Sequence, residues 1–139
     1  MYTYQLIPKT EMHSIIPILR LLNDQVSEEI LKERLAEMLD KGYECLGVFD
    51  DKKLIGICGL WILVKCYVGR HIEPDNVMIL PEYRNKGIGE EMMAWIYAYG
   101  RSQGCIASEL NCYTTNSGGQ KFWANEGYKI LGFHYQRPL

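Results

Sequence analysis

The sequence predicts an α/β domain, a mixed sheet carrying helices on both faces. Three observations lead there. The chain has 139 residues, enough for one domain around one core. Strand-length apolar runs alternate with stretches whose apolar residues recur at helical spacing. Strands joined by short polar turns come first, whereas strands and helices alternate later, and that alternation calls for parallel pairing. No linker, low-complexity run or internal repeat divides the chain, so residues 1–139 are read as a single domain.

Residues 3–7 alternate like a short strand. Residues 12–22 are apolar at helical spacing, and Pro17 fits if Ser14 or a neighbour opens the helix. Ser27 is placed to cap a second helix, with Glu28 and Glu29 at its positive end. Ile30, Leu31, Leu35, Met38 and Leu39 form its apolar stripe, and Gly42 ends it. Residues 43–49 and 54–66 read as an antiparallel hairpin about the polar turn 50–53. A strand over about 71–80 stops at Pro81. Residues 87–103 form a long helix closed by Gly104, and a strand over 106–113 follows. A short helix at about 117–126 precedes Gly127, and a last strand is expected over 128–136. Parallel strands flanking a helix open a cleft at their carboxyl ends, where ligands bind.

Composition excludes several classes. The formal charge is −2, without the basic footprint that nucleic-acid binding needs. The first residues lack the basic and then apolar run of a secretory leader, and no apolar stretch reaches the ~20 residues of a membrane span. Five cysteines, at 45, 58, 66, 105 and 112, form no CxxC and are expected as reduced thiols, which points to the cytoplasm. His13, His71 and His134 show no helical metal-ligand spacing, so no metal is expected.

The chemistry concentrates in residues 80–92, Leu-Pro-Glu-Tyr-Arg-Asn-Lys-Gly-Ile-Gly-Glu-Glu-Met. A strand enters a tight glycine loop that opens a long helix. Backbone N–H groups at a helix start point outward unpaired, and the helix dipole adds positive potential. Gly87 and Gly89 let a ligand approach the backbone, while Arg84 and Lys86 add full charges. The product is a pyrophosphate cradle. It is no Walker A loop, because Lys86 precedes Gly87, and no dinucleotide fingerprint, because Met92 stands where a third glycine is required.

Arg84-x-x-Gly87-x-Gly89 resembles the acetyl-CoA loop of the GNAT superfamily, Gln/Arg-x-x-Gly-x-Gly/Ala. Asn116, Phe122-Trp123 and Gly127-Tyr128 resemble that family's second signature. The order of elements matches over nearly the whole chain. Residues 59–139 look most like the aminoalkylphosphonate N-acetyltransferases, through Gly59-Leu60, Pro81, Ala94-Trp95, Glu109-Leu110 and Glu126-Gly127-Tyr128.

The resemblance implies an enzyme that moves an acetyl group from acetyl-CoA to a primary amine, by direct attack through a tetrahedral intermediate. Arg84, Asn85, Lys86, Gly87, Ile88 and Gly89 would hold the pyrophosphate. Met78, Ile79 and Leu80 would pair with the pantetheine arm like an added strand, and a main-chain N–H there would polarise the thioester carbonyl. Asn116 would touch the same arm, with Phe122 and Trp123 also counted as cofactor-binding. Glu73 matches a glutamate of the phosphonate-type relatives and is the expected base, with Asp75 as its alternative. Departures are specific. Gly119 replaces the family's alanine, His71 alone represents a histidine-rich strand, and Trp123 stands where many relatives carry the tyrosine that protonates the leaving thiolate. Indole donates a hydrogen bond but is no proton source, so the thiolate is expected to leave with a donor that only hydrogen-bonds, or with acid help from a nearby group such as Tyr128 or Tyr113. The acceptor is read as a small-molecule amine. A protein lysine or N-terminus, or a non-catalytic acyl-CoA sensor, are the alternatives. Dimerisation is common among such relatives, and the final apolar strand is the element expected to support a homodimer.

Overall fold

A computed structural model describes residues 1–139. In chain order it contains β1 (Tyr2–Leu6), a 3-10 segment (Lys9–Ile15), α1 (Ile16–Leu22), α2 (Glu28–Asp40), β2 (Glu44–Asp50), β3 (Lys53–Lys65), β4 (Gly69–Ile79), a second 3-10 segment (Pro81–Tyr83), α3 (Ile88–Ser102), β5 (Ala107–Ser108) and α4 (Ser117–Asn125). The five strands lie side by side in sequence order. The first three pairings are antiparallel and the last is parallel. The mixed sheet expected from the alternation of elements is therefore present.

Local chemistry sets the helix boundaries. Pro17 lies in the first turn of α1, where its missing N–H is harmless. The apolar stretch before it is consequently a 3-10 segment, and one expected helix becomes two pieces. Ser27 caps α2, its Oγ accepting from Ile30 N at 3.3 Å.

Two apolar layers cover the two sheet faces. On one face, Ile16, Ile18, Leu19, Leu31 and Leu35 of α1 and α2 pack on Tyr43, Cys45 and Ile57. On the other, Ile88, Met92, Met93 and Ile96 of α3 pack on Leu46, Val48, Cys58, Leu60 and Ile72, joined by Phe122 and Trp123 of α4. No helix is long and apolar enough to cross a membrane.

β4 carries a bulge that matters for the site. Ile57 pairs with Met78 but Gly59 pairs with Asp75, so the register slips by one residue. Asn76 lies in the slip with φ of 55°, and its Oδ1 accepts from the Tyr43 hydroxyl at 3.2 Å. Side-chain direction reverses across it. Ile72 packs in the α3 layer, and beyond the bulge that layer is joined by Val77 and Ile79, whereas Met78 and Leu80 pack in the α1–α2 layer.

Two expectations are corrected. The strand expected over 106–113 shrinks to Ala107–Ser108, because β4 and β5 pair only at His71–Ala107 and Ile72–Ser108 before diverging. The strand expected over 128–136 does not form. Alternating apolar residues suit a strand, but a strand exists only against a partner, and none of these residues is paired.

Candidate active site

The divergence of β4 from β5 builds the cleft. The last backbone link between them runs from Glu109 N to Ile72 O at 3.1 Å. Beyond it the β5-facing edge of β4 has no neighbouring strand. Met78 and Ile79, expected to pair with a pantetheine arm, lie on this open stretch, with Leu80 directly after it. Leu80 itself is tied inward, its N–H donating to Ile55 O at 2.9 Å.

At the end of that edge the chain turns through Arg84–Asn85–Lys86–Gly87 into α3. Asn85 and Gly87 both adopt positive φ, 61° and 78°. The first link into the helix is Glu91 N to Gly87 O at 3.2 Å, and no side chain caps α3. The N–H groups of residues 85–90 have no acceptor, so six consecutive donors surround the positive end of a fifteen-residue helix. A Cβ built on Gly87 would meet nothing within 4 Å. The space beside Gly87 is therefore unfilled by the protein.

Gly89 carries a second constraint. A Cβ on Gly89 would lie 3.0 and 3.2 Å from two ring atoms of Phe122. Gly89 is therefore small at least partly to seat α4 against the start of α3. Arg84 also turns inward, its Nε donating to Ile79 O at 3.0 Å, and so ties the loop to the end of β4. Lys86 lies 5.6 Å from the ring centre of Tyr83, with Lys53 at 5.5 Å. The Tyr83 hydroxyl donates to Asp50 at 2.9 Å, and this bond holds its proton above the ordinary tyrosine value.

Asn116 caps α4, its Oδ1 accepting from Gly119 N at 2.9 Å. Gln120 Nε2 donates to the carbonyls of Tyr113 and Thr114 at 3.0 and 2.9 Å. These bonds secure the start of α4, whose first turn contains Gly118 and Gly119.

A polar cluster occupies the other half of β4. His71 is fully buried, its Nδ1 3.1 Å from Gly69 O and its Nε2 2.7 Å from Glu73 Oε2. Both ring nitrogens face acceptors, and a neutral imidazole has only one N–H to give. That N–H serves either Gly69 O or Glu73, according to the tautomer. Glu109 approaches from the end of β5, its Oε1 3.9 Å from His71 Nε2, and accepts a hydrogen bond from the Tyr67 hydroxyl. That bond holds the Tyr67 proton on. Lys65 lies 3.8 Å from Glu73, whose side chain remains 18% exposed. Asp75, the alternative base, is engaged differently, accepting from Trp61 Nε1 at 3.0 Å.

Sequence reading missed Glu109 and Tyr67, since only the parallel β4–β5 contact and the turn before β4 bring them to His71. It likewise saw no grouping of metal ligands. The structure does assemble one such donor set, with ligand atoms of His71, Glu73 and Glu109 all within 4.8 Å of one another. Helical spacing could not display it, since His71 and Glu73 stand two apart on β4 and Glu109 follows β5.

Tyr128 meets Ser108 across the site's floor, hydroxyl to hydroxyl at 2.6 Å. Burial raises its pKa, outweighing hydrogen bonds with Ser108 and Tyr97 that lower it. It thus stays a protonated phenol at neutral pH, as an acid must. Tyr113, the other acid considered, is 84% exposed.

Trp123 sits edge-on between Phe122 and Tyr128, with ring centres at 4.8 and 5.4 Å. That is a packing position. Trp123→Phe and Trp123→Tyr are each expected to lower the melting temperature, by an amount corresponding to about 1 kcal/mol. Turnover at saturating acetyl-CoA should be preserved. Lost turnover at unchanged melting temperature would instead assign Trp123 a part in thioester handling.

Comparison with known proteins follows this geometry. Residues 12–128 match the model of the acetyltransferase (GNAT) family. The aminoalkylphosphonate N-acetyltransferase of Salmonella typhimurium strain LT2 is 23% identical over 124 residues, covering 88% of this chain and 80% of that protein. Among solved structures, a ribosomal-protein-alanine N-acetyltransferase from Brucella melitensis biovar Abortus 2308 superposes with a TM-score of 0.84 at 18% identity, covering 100% of this chain and 99% of the other. AAC(6')-Iy in complex with the bisubstrate analogue CoA-S-monomethyl-acetylneamine gives 0.82 at 16% identity, with 99% of each chain covered. The family match spans most of the residues that build the cleft, the cradle and the polar cluster, and the chain belongs to the GNAT family of acetyltransferases.

Proposed function

We propose that this acetyltransferase transfers the acetyl group of acetyl-CoA to the primary amine of a small molecule. The observation that carries the reading is the row of six unpaired N–H groups at residues 85–90, continuous with an open strand edge at Met78 and Ile79. An anionic pyrophosphate fits the first and an amide-bearing arm the second. Arg84, Asn85, Lys86, Gly87, Ile88 and Gly89 form the cradle, with Asn116 beside the arm and Phe122 and Trp123 packed behind it.

Amine acetylation needs a proton removed from the ammonium, an oxyanion held and a thiolate released. Glu73 takes the proton, directly or through a water, and His71 shares it. A main-chain N–H of β4 near the Asn76 bulge serves the oxyanion. Tyr128 supplies a proton to the thiolate, which is a tolerable leaving group even unaided, since a thiol has a pKa of about 8.5. The similarity to an enzyme named for aminoalkylphosphonates supports a small acceptor. Lys65, close to Glu73 and half exposed, is available to an anionic group on such an acceptor.

The test is release of free CoA thiol from acetyl-CoA, measured with short aminoalkylphosphonates, amino sugars, polyamines and peptides bearing N-terminal alanine or internal lysine. Turnover with a small amine and none with peptides is expected. Turnover confined to peptides would make the acceptor a protein. Tight acetyl-CoA binding without release for any amine would make the protein a sensor.

A further inference from the structure

Two aromatic side chains hold the slip in β4 from outside the strand. Tyr43 stands just before β2, Trp61 lies within β3, and both pack in the α1–α2 layer. Their ring centres are 5.1 Å apart and the planes are tilted by 58°. Each ring sends one polar hydrogen to a different residue of the slip. The Tyr43 hydroxyl donates to Asn76 Oδ1 at 3.2 Å, and the Trp61 indole N–H donates to Asp75 Oδ2 at 3.0 Å. Tyr43 is fully buried. Burial raises its pKa, so the hydroxyl stays protonated and remains a donor.

The facing strand makes room for this arrangement. Gly59 is the register partner of Asp75. A Cβ built on it would overlap the Tyr43 hydroxyl and lie 2.6 Å from Asp75 O. A side chain at position 59 would therefore force the hydroxyl away from Asn76. Glycine, tyrosine, tryptophan and the two polar residues of the slip fit together as one assembly drawn from three strands.

The conformation being held is one that needs holding. Asn76 has a φ of 55°, in the left-handed region, which asparagine enters more readily than most residues but still unfavourably. Freed of its partner, Asn76 would drift toward extended geometry, and β4 would lose the extra position that makes the slip. The extra residue of a bulge stands outside the ladder, so its backbone is open to a ligand. The N–H that meets a thioester oxygen has to be aimed, because a hydrogen bond weakens steeply as its angle closes.

We propose that Tyr43 and Trp61 are positioning residues for acetyl transfer, bracing Asn76 and Asp75 in the bulged conformation so that a β4 N–H is aimed at the thioester carbonyl. The brace rests on the acetyl-transfer function proposed for this site. It acts through the backbone, and neither ring has to touch the substrate. Both hydrogen bonds stay in place through the reaction, and no proton passes along them.

Tyr43→Phe removes the hydroxyl and keeps the ring. With the amine that the CoA-release assay selects, kcat should fall about 10-fold, part of the ~10²–10³ that losing a whole oxyanion donor costs. The KM for acetyl-CoA and the calorimetric Kd for CoA should stay as in the wild type. Tyr43→Phe/Asn76→Gly should recover most of the lost kcat, since glycine holds a positive φ without a brace. A general loosening of the fold would not be repaired in this way, because glycine itself weakens a strand. Tyr99→Phe deletes a comparable hydroxyl on α3, bonded to Glu44 at 2.8 Å, and should leave kcat unchanged. Independently of turnover, the carbon chemical shifts of Asn76 should report the left-handed conformation in the wild type and its loss in Tyr43→Phe. An unchanged kcat in Tyr43→Phe, a lost kcat that Asn76→Gly fails to repair, or a left-handed signature that survives in Tyr43→Phe would each overturn the brace. A wild type that turns over no amine would instead sink the transfer function on which it rests, and the chemical shifts would still judge the brace itself.

Discussion

Replacing Glu73 by Gln should lower kcat by about 10²-fold, or about 2.7 kcal/mol in the barrier, with CoA affinity unchanged, if Glu73 is the base. Glutamine keeps the size of the side chain and can still bond His71 Nε2, now 2.7 Å from the carboxylate. What it cannot do is accept the ammonium proton. The low-pH limb of the rate profile, which reports deprotonation of the base, should therefore flatten or move. Asp75→Asn is the companion variant. Its effect on kcat should be far smaller, because the Trp61 indole already engages Asp75 and no histidine stands behind it to share a proton. Full activity in Glu73→Gln with an unaltered profile would transfer the base to Asp75, or to an acceptor that arrives uncharged.

Gly89→Asp should abolish CoA binding while leaving the domain folded. The new carboxylate sits in the first turn of α3, beside the donors of residues 85–90. An acid is favourable to the helix dipole at that position, by about 0.3–1 kcal/mol. That gain opposes the crowding of Phe122, which has to yield a few tenths of an ångström. Toward a pyrophosphate the same charge is repulsive, by about 4 kcal/mol at 4 Å and an effective dielectric of 20, close to 10³-fold in Kd. Gly89→Ala separates the two effects, since it crowds Phe122 equally and adds no charge. Calorimetric titration with CoA should find Gly89→Ala weakened modestly and Gly89→Asp silent. Wild-type affinity in Gly89→Asp would remove the pyrophosphate from this loop.

The glycine loop that opens α3 was legible in the sequence because it is a local object. A strand, a short glycine loop and a helix start are contiguous, and the donors belong to the backbone, so spacing alone exposes them. The Ser27 cap and the apolar stripe of α2 were legible for the same reason. The reason for Gly89 was not, since its constraint is a ring that arrives 33 positions later from α4. The polar cluster was half legible. His71 and Glu73 stand two apart on one strand, but Glu109 joins them only through the short parallel pairing of β4 with β5. The segment 128–136 shows the limit of pattern reading from the other side. Its apolar alternation is real, yet a strand is a relation between two segments, and one sequence displays only one of them.

The slip at Asn76 has a wider consequence. It acts as a phase shifter spliced into a single strand. Upstream, Ile72 faces the α3 layer; downstream, Val77 and Ile79 face that same layer although they stand at positions of the opposite parity. Without the shifter, the inward and outward positions of the downstream half would trade places, and Met78 and Leu80 would leave the α1–α2 layer. One inserted residue thus lets a single strand serve two apolar layers with a run of side chains that strict alternation would have assigned the other way round.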